Sequence, residues 1–411
     1  MQSKYYMMGV CGMGMAPLAA FLKDSGADVK GFDHSPNLDV KSALQKCGVE
    51  FQNPHLLEEG RQVVISTALA RKRSEIREIT GCENIARRGE CWAQICASRK
   101  LTAVVGSHGK STVSALAAHA ANKLGLDCGY LVGAVPVDFP MHKYCAEGKA
   151  VISEIDESDG TIEKFYPEVT VALNADLDHT DTYADNSRLE EMFTRLFART
   201  KKIVVYPKSD EMLSRIAAKS ATPSRAVDAG TDFIEINRKM AKAALEETFG
   251  ISVETSLFDG FKGLLRRQEI LCDAKKITVV ADYAHHPNEV KSFLKWFCEK
   301  YEGDKLVVFQ PHRYTRTRRF AEDFARILDA RANEADIMLL PVYPASEPFD
   351  PLGESGAIAS KSKRIMLANS ADFFKMVADK LKESNGRKLN VAIVGAGDFY
   401  FTAKDFFRTI K

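Results

Sequence analysis

The sequence predicts an α/β protein made of several parallel-sheet domains, and three stretches carry that prediction. Tyr5 to Val10 is an apolar run that enters the glycine turn Gly9-Val10-Cys11-Gly12-Met13-Gly14-Met15 and then an apolar helix, Ala16 to Ser25. Leu101 to Val105 enters a second glycine turn, Gly106-Ser107-His108-Gly109-Lys110-Ser111-Thr112, followed by a small-residue helix, Thr112 to Lys123. From Ile277 to Val394 short apolar runs alternate with helical periods, the pattern of strands joined by crossover helices.

A chain of 411 residues is too long for one ordinary core and implies two or three domains. Hydrophobic residues at 45% and charged residues at 27% fit an ordinary globular protein with no run able to span a bilayer. The net charge of +2, from 57 basic and 55 acidic side chains, calls for neither nucleic acid nor an anionic membrane as partner. The nine cysteines form no C-x-x-C pair, so they read as reduced thiols of a cytoplasmic protein. Met1 to Val10 is too short for a signal peptide.

In the first domain, Val29 to Phe32 follows as a strand ending at Asp33, which completes a βαβ unit. The glycines of this turn would let a diphosphate approach the helix N-terminus. Val63 to Ser66 is a further buried strand, with Ser66 and Thr67 at the edge where open α/β sheets present ligands. The basic, polar stretch from Arg87 to Lys100 reads as a separator, with a domain boundary near Ser98.

The second glycine turn has the order strand, turn, helix that builds a phosphate site. Glycines let the backbone wrap an anion, and the first N–H groups of the helix point at it. Lys110 would reach the outer phosphates, and the hydroxyl of Ser111 or Thr112 would hold Mg²⁺. The usual spelling has a glycine where Val104 stands, so the loop is a shortened variant. Ala150 to Asp159 is an apolar strand ending in Glu154, Asp156, Glu157 and Asp159. Val169 to Leu173 ends in Asn174-Ala175-Asp176-Leu177-Asp178-His179-Thr180-Asp181. Two strand ends dense in Asp, Glu and His suggest one shared cation site.

Ile203 to Tyr206 is the next strand, followed by polar material to Asp232 and a helix from Asn237 to Phe249. A second break falls near Arg266-Arg267. Beyond it come a strand, Ile277 to Ala281, a helix, Pro287 to Lys300, a strand, Lys305 to Phe309, a helix, Arg319 to Ala330, and strands Ile337 to Leu340 and Asn390 to Val394, which together predict a parallel sheet. Two of these strands end in Asp282-Tyr283-Ala284-His285-His286-Pro287 and Gln310-Pro311-His312-Arg313-Tyr314-Thr315-Arg316. They put imidazole, phenol and arginine forks where a carboxylate or phosphate is met.

Taken together, GSHGKST, SEIDESD, NADLDHTDTY, DYAHHPNEV, FQPHRYTRTR and GAGD, in that order behind the first glycine turn, resemble the Mur ligases of peptidoglycan synthesis, and most of all their alanine-adding branch. The resemblance implies three domains. They are a Rossmann-like domain over 1–98 for the UDP-sugar, a shortened P-loop ATPase domain over 99–267, and a Rossmann-like domain over 268–411 that brings the amino acid. It implies that ATP phosphorylates the lactyl carboxylate of UDP-N-acetylmuramate and that the amine of L-alanine attacks the acyl phosphate.

By the same resemblance, Gly106 to Thr112 and Asn237 bind ATP, with Asn237 near the adenine in a motif before a helix. Ser111 and Glu154 hold one Mg²⁺, and His179 contributes to a second. Gly12, Gly14, Met15, Asp33, Ser66 and Thr67 bind the UDP-sugar, and Tyr283, His285, Arg313 and Arg316 lie near the incoming amino acid. Lys110, Glu154, His179, His285 and Arg313 form the catalytic set, in a monomer or weak homodimer. Cys11 stands where the alanine-adding branch has a glycine, as in the related murein-tripeptide recycling ligases, which with a non-catalytic nucleotide-binding relative are the competing readings. No lysine occurs from Asn186 to Arg199, so the lysine carbamylation of several relatives is not expected.

Overall fold

Lys4–Met8 forms β1, the middle strand of the first sheet in a computed structural model that describes residues 3–157, 160–176, 185–230, 232–345, 347–383 and 387–409. The chain divides into two compact units, Met1–Lys262 and Gly263–Lys411. In the first unit, β1 is followed by α1 (Met15–Asp24), β2 (Asp28–Phe32), α2 (Leu38–Lys46), β3 (Glu50–Phe51), β4 (Gln62–Ile65), α3 (Arg73–Thr80), β5 (Ile85–Arg87) and α4 (Arg88–Cys96). The sheet order is β3-β2-β1-β4-β5, parallel throughout. The order reverses between β1 and β4, so the residues after these two strands flank the topological switch point, the ligand crevice of an open α/β sheet. Tyr6, Met7, Val63, Val64 and Ile65 are fully buried, as strands covered on both faces require.

The stretch expected to be a polar separator, Arg87 to Lys100, is instead the end of β5 and helix α4. Its apolar residues Cys91, Trp92 and Cys96 are buried, and Trp92 Nε1 donates to Ser153 Oγ at 2.9 Å in the next sheet. That second sheet is built from β6 (Lys100–Val105), α5 (Lys110–Lys123), β7 (Cys128–Leu131), β8 (His142–Lys143), β9 (Ala150–Glu154), β10 (Val169–Ala172), α6 (Asn186–Arg199), β11 (Ile203–Pro207), α7 (Glu211–Lys219), β12 (Ser224–Val227) and α8 (Phe233–Phe249). Its order is β12-β11-β10-β6-β9-β7-β8, with only β8 antiparallel among the described pairings. The polar material expected between Tyr206 and Asp232 contains α7 and β12. α7 is a short amphipathic helix that buries Leu213, Ile216 and Ala217 and is capped by Asp210, whose side chain accepts from Leu213 N at 2.9 Å. α8 begins at Phe233, capped by Asp232, so Asn237 lies within the helix and not before it.

The second unit contains β13 (Glu269–Asp273), β14 (Ile277–Asp282), α9 (Pro287–Lys300), β15 (Asp304–Phe309), α10 (Tyr314–Arg319), α11 (Ala321–Asp329), β16 (Asp336–Leu339), α12 (Gly356–Ala359), β17 (Ile365–Leu367), α13 (Ser370–Glu383), β18 (Leu389–Val394) and α14 (Phe399–Phe407). The order is β13-β14-β18-β15-β16-β17. The sheet is mixed, because β13 runs antiparallel to β14; the other pairings are parallel. The helix expected over Arg319 to Ala330 is α11, and a short helix that was not expected, α10, precedes it and ends at its C-cap, Phe320. Val279, Val280, Leu306 to Phe309 and Val391 are fully buried at the centre of this sheet. All nine cysteines are free thiols, and among the described residues no helix is long and apolar enough to cross a membrane.

Candidate active-site loops

β6 ends at Val105 and α5 begins at Lys110, so the turn between them closes in four residues. Two of these cannot carry a side chain. Gly106 has φ 127°, and a Cβ there would lie 2.9 Å from Asn174 O; Gly109 has φ 85°, and a Cβ would lie 2.8 Å from Asn237 Oδ1. The turn is also clamped from β10. His108 N donates to Asn174 Oδ1 at 2.9 Å, and Asn174 Nδ2 returns a bond of 2.9 Å to His108 O. Ser107 Oγ donates to Asp176 O, and His108 Nε2 lies 3.4 Å from Asp176 Oδ2. Asp210, the α7 cap, accepts from Ala175 N at 3.1 Å and so ties the post-β10 segment to α7.

Lys110 is buried at the first position of α5. Its Nζ donates to Gly106 O at 2.6 Å and lies 3.1 Å from each carboxylate oxygen of Glu157, itself only 2% exposed. Burial alone would lower the lysine pKa, but the charges of Glu157, Asp156 and Glu154 outweigh it and raise the pKa above the usual value. The ammonium is therefore held charged. Ser111 Oγ donates to Glu154 Oε2 at 2.7 Å, and Glu154 fills the space a side chain at Gly133 would need, 2.2 Å from that Cβ position.

A hydroxyl beside a carboxylate is the hard-oxygen donor set that suits Mg²⁺, which takes few protein ligands and completes its shell with water and phosphate. Ser111 and Glu154 fit such an ion. Among the described residues no three His, Cys, Asp or Glu side chains group as a metal cage. His179 lies outside the described residues, as do Ser158, Asp159, Asp178 and Asp181. Asn237, in the second turn of α8, sets its side-chain oxygen against Gly109.

At the N-terminal switch point, Gly9 (φ 73°) passes 2.8 Å, measured from its would-be Cβ, from Ser66 Oγ, so the turn after β1 touches the residue after β4. Cys11 N donates to Asp33 Oδ2 at 3.0 Å, which joins the ends of β1 and β2. Burial, helped by the Asp33 charge, pushes the Cys11 thiol up to about 11, so it stays protonated at neutral pH. The turn that carries Gly12 and Gly14 is thus tied to Asp33 and Ser66 at the switch point, with exposed Thr67 beyond the end of β4. Met15 does not line it with its side chain, which is 1% exposed and belongs to the core.

Arg88, absent from the expected residues, is brought there by α4. Its guanidinium would lie 3.0 Å from a Cβ on Gly14, and its Nη2 is 3.8 Å from Asp156 Oδ2. The only sequence signal was its place beside Arg87 in a basic stretch.

In the second unit, the sheet order puts the ends of β14, β18 and β15 side by side. Tyr283 and His285 meet edge-on at 5.4 Å, His285 and His312 at 5.7 Å, and His312 stacks on Tyr343 at 5.6 Å. His285 Nδ1 lies 3.0 Å from Tyr283 O and 3.2 Å from Glu289 Oε2. Burial, with the charges of His285, Arg316 and Arg313, drives His312 down to about 3, so it remains neutral. Asp282 is buried and pushed up to about 6, its oxygens accepting from Ala284 N and Gln268 N at 2.9 Å each. Arg266 caps the end of β18, donating to Gly395 O at 3.0 Å and Gly397 O at 2.8 Å between the rings of Tyr283 and Tyr400.

Arg313 and Arg316 both stand at the start of α10 but face different partners. Arg313 Nε is 3.9 Å from Glu347 Oε1, whereas Arg316 Nη1 is 3.4 Å from His312 Nδ1.

Comparison with known proteins gives three family matches in chain order: the Mur ligase family catalytic domain over residues 4–97, the Mur ligase middle domain over 104–259, and the Mur ligase glutamate ligase domain over 266–395. The UDP-N-acetylmuramate–L-alanine ligase of Gloeobacter violaceus is 29% identical over 438 residues, covering 96% of this chain and 93% of that one. Among solved structures, the UDP-N-acetylmuramate-alanine ligase of Thermotoga maritima aligns with a TM-score of 0.76 at 22% identity, over 98% of both chains. The murein peptide ligase of Psychrobacter arcticus aligns with a TM-score of 0.69 at 20% identity, over 99% of this chain and 98% of that one. At these identities the structural likeness speaks for the fold alone.

Proposed function

We propose, from the premise that this chain belongs to the Mur ligase family, that it uses ATP to join L-alanine to the lactyl carboxylate of UDP-N-acetylmuramate. The observation that carries the reading is the phosphate loop, where a buried ammonium and a hydroxyl–carboxylate pair meet at the N-terminus of α5. Phosphoryl transfer depends mainly on positioning and on neutralising charge, and this loop is built of donors and a fixed cation.

In this reading a lactyl carboxylate oxygen attacks the γ-phosphorus and ADP leaves. The amine nitrogen then attacks the acyl carbon, phosphate departs, the amine loses a proton and an amide remains. Lys110, exchanging Glu157 for the nucleotide, offsets charge on the transferring group, and the amides of Gly106 to Thr112 cradle the phosphates. Ser111 and Glu154 would hold one Mg²⁺ and His179 would contribute to a second, and such ions when bound supply additional charge neutralisation. Asn237 borders the nucleotide. Gly12, Gly14, Asp33, Ser66 and Thr67 take the UDP-sugar at the switch point, where oriented amides suit a diphosphate. Arg313 and Arg316 bind the carboxylate of alanine, and Tyr283 and His285 attend its amine.

The proposal extends to three domains, divided near Ser98 and Arg267, and to a cytoplasmic monomer or weak homodimer. The measurement that tests it is phosphate release from ATP with UDP-N-acetylmuramate and each single amino acid in turn. Turnover with L-alanine is expected, and turnover only with a murein tripeptide overturns the choice of amine. That second reading is kept because Cys11 sits in the UDP-sugar turn and a murein peptide ligase shares the fold.

A further inference from the structure

Glu347 reaches α10 from the segment that follows β16, and its two carboxylate oxygens are both engaged there. Oε2 accepts from Thr315 N at 3.1 Å and Oε1 from Thr315 Oγ1 at 2.6 Å, so the carboxylate caps a helix start that its own N-cap residue, Arg313, leaves without a side-chain bond. The same Oε1 lies 3.9 Å from Arg313 Nε. Arg313 is in the left-handed region, with φ 72°, a conformation an arginine keeps only when its surroundings impose it. The surroundings that impose it are visible: Arg313 N donates to Tyr343 O at 2.8 Å, Thr317 Oγ1 donates to Arg313 O at 2.9 Å, and His312 and Tyr343 form a parallel bridge. Four arginines crowd positions 313–319, and Arg318 is served by a different acid, Asp350, at 3.6 Å.

We propose that Glu347 is a positioning residue for the amino-acid end of the site, holding the Nε edge of Arg313 and the first turn of α10 so that the terminal guanidinium nitrogens meet the substrate carboxylate in a fixed orientation. The inference rests on the reading that Arg313 binds that carboxylate. A guanidinium anchored along one edge loses less freedom when its other edge forms a bidentate pair, and the gain appears as amino-acid affinity.

The test separates cap from orientation. Glu347→Gln keeps an oxygen to accept from Thr315 N but removes the charge facing Arg313; Glu347→Ala removes both. Expected for Glu347→Gln are a thermal midpoint near that of the unaltered enzyme, a KM for L-alanine raised about fivefold, and KM values for ATP and UDP-N-acetylmuramate unchanged. Glu347→Ala is expected to lose thermal stability as well. A Glu347→Gln enzyme whose KM for L-alanine is unchanged or lower overturns the inference and leaves only a helix cap. An unaltered enzyme that releases no phosphate with L-alanine overturns the functional reading first, and this inference with it; the two failures are told apart by that control.

Discussion

Lys110 and Glu157 form a buried ion pair, with the lysine Nζ 3.1 Å from both carboxylate oxygens and the two side chains 10% and 2% exposed. The residue expected to act as a point charge on phosphate is also part of the interior. Lys110→Ala is therefore predicted to abolish ligation and also to cost about 3 kcal/mol of stability, because it strands the Glu157 carboxylate. Urea unfolding beside phosphate release checks both. The double variant Lys110→Ala/Glu157→Gln is expected to regain much of the stability and none of the activity.

Glu154→Gln keeps an oxygen for the Ser111 hydroxyl but lowers the charge offered to a cation. The Mg²⁺ concentration for half-maximal activity is predicted to rise about tenfold or more, with the thermal midpoint little changed. An unaltered Mg²⁺ titration would remove Glu154 from the metal site.

Gly109→Ala places a methyl group 2.8 Å from Asn237 Oδ1 at a backbone φ of 85°. The left-handed conformation alone costs about 1–2 kcal/mol. The predicted result is a lower thermal midpoint that Asn237→Ala restores only in part, because the second change relieves the contact and not the φ. Full restoration in the double variant would show that the contact alone decides.

Asp282 has its pKa raised by burial to about 6 from the ordinary 3.8. The folded chain thus binds a proton in this range that the unfolded chain has released, so its contribution to stability is most favourable at or below about pH 4 and falls as pH rises to about 6. In urea titrations at pH 4 to 7, Asp282→Asn should lack this part of the decline. Parallel pH curves for the two proteins would assign the decline elsewhere.

Arg313→Lys keeps the charge but loses the fork that matches a carboxylate. Its specificity constant for L-alanine is predicted to drop roughly tenfold to a hundredfold, the worth of a charge-assisted hydrogen bond. Steady-state assays with L-alanine and with a tripeptide decide it, since a tripeptide has its carboxylate far from the reacting amine. Indifference to the change would move the preference toward the tripeptide.

The sequence by itself determined the local events. Strand, glycine turn and helix at Gly106 to Thr112 follow from residues adjacent in the chain, and the positive φ of Gly106 and Gly109 are met by the residue that tolerates them. The strand ends carrying Glu154, Asn174, His285 and Arg313 were legible because apolar runs stop where chemistry-bearing residues begin. Elements whose apolar face is narrow or half exposed were not: α4 hides its buried Trp92 in a basic stretch, α7 buries only three residues, and β12 is an edge strand with no fully buried position. The antiparallel edge strand β13 likewise leaves no periodic mark that distinguishes its direction. Tertiary structure alone decided which distant residues meet. Because β6 pairs with both β9 and β10, Glu154 and Asn174 flank the loop, and Glu157 reaches Lys110 across 47 positions of chain. Arg88 over Gly14 and Glu347 beside Arg313 depend in the same way on packing between elements far apart in sequence. Such contacts are set by sheet order and side-chain packing, which no local periodicity encodes.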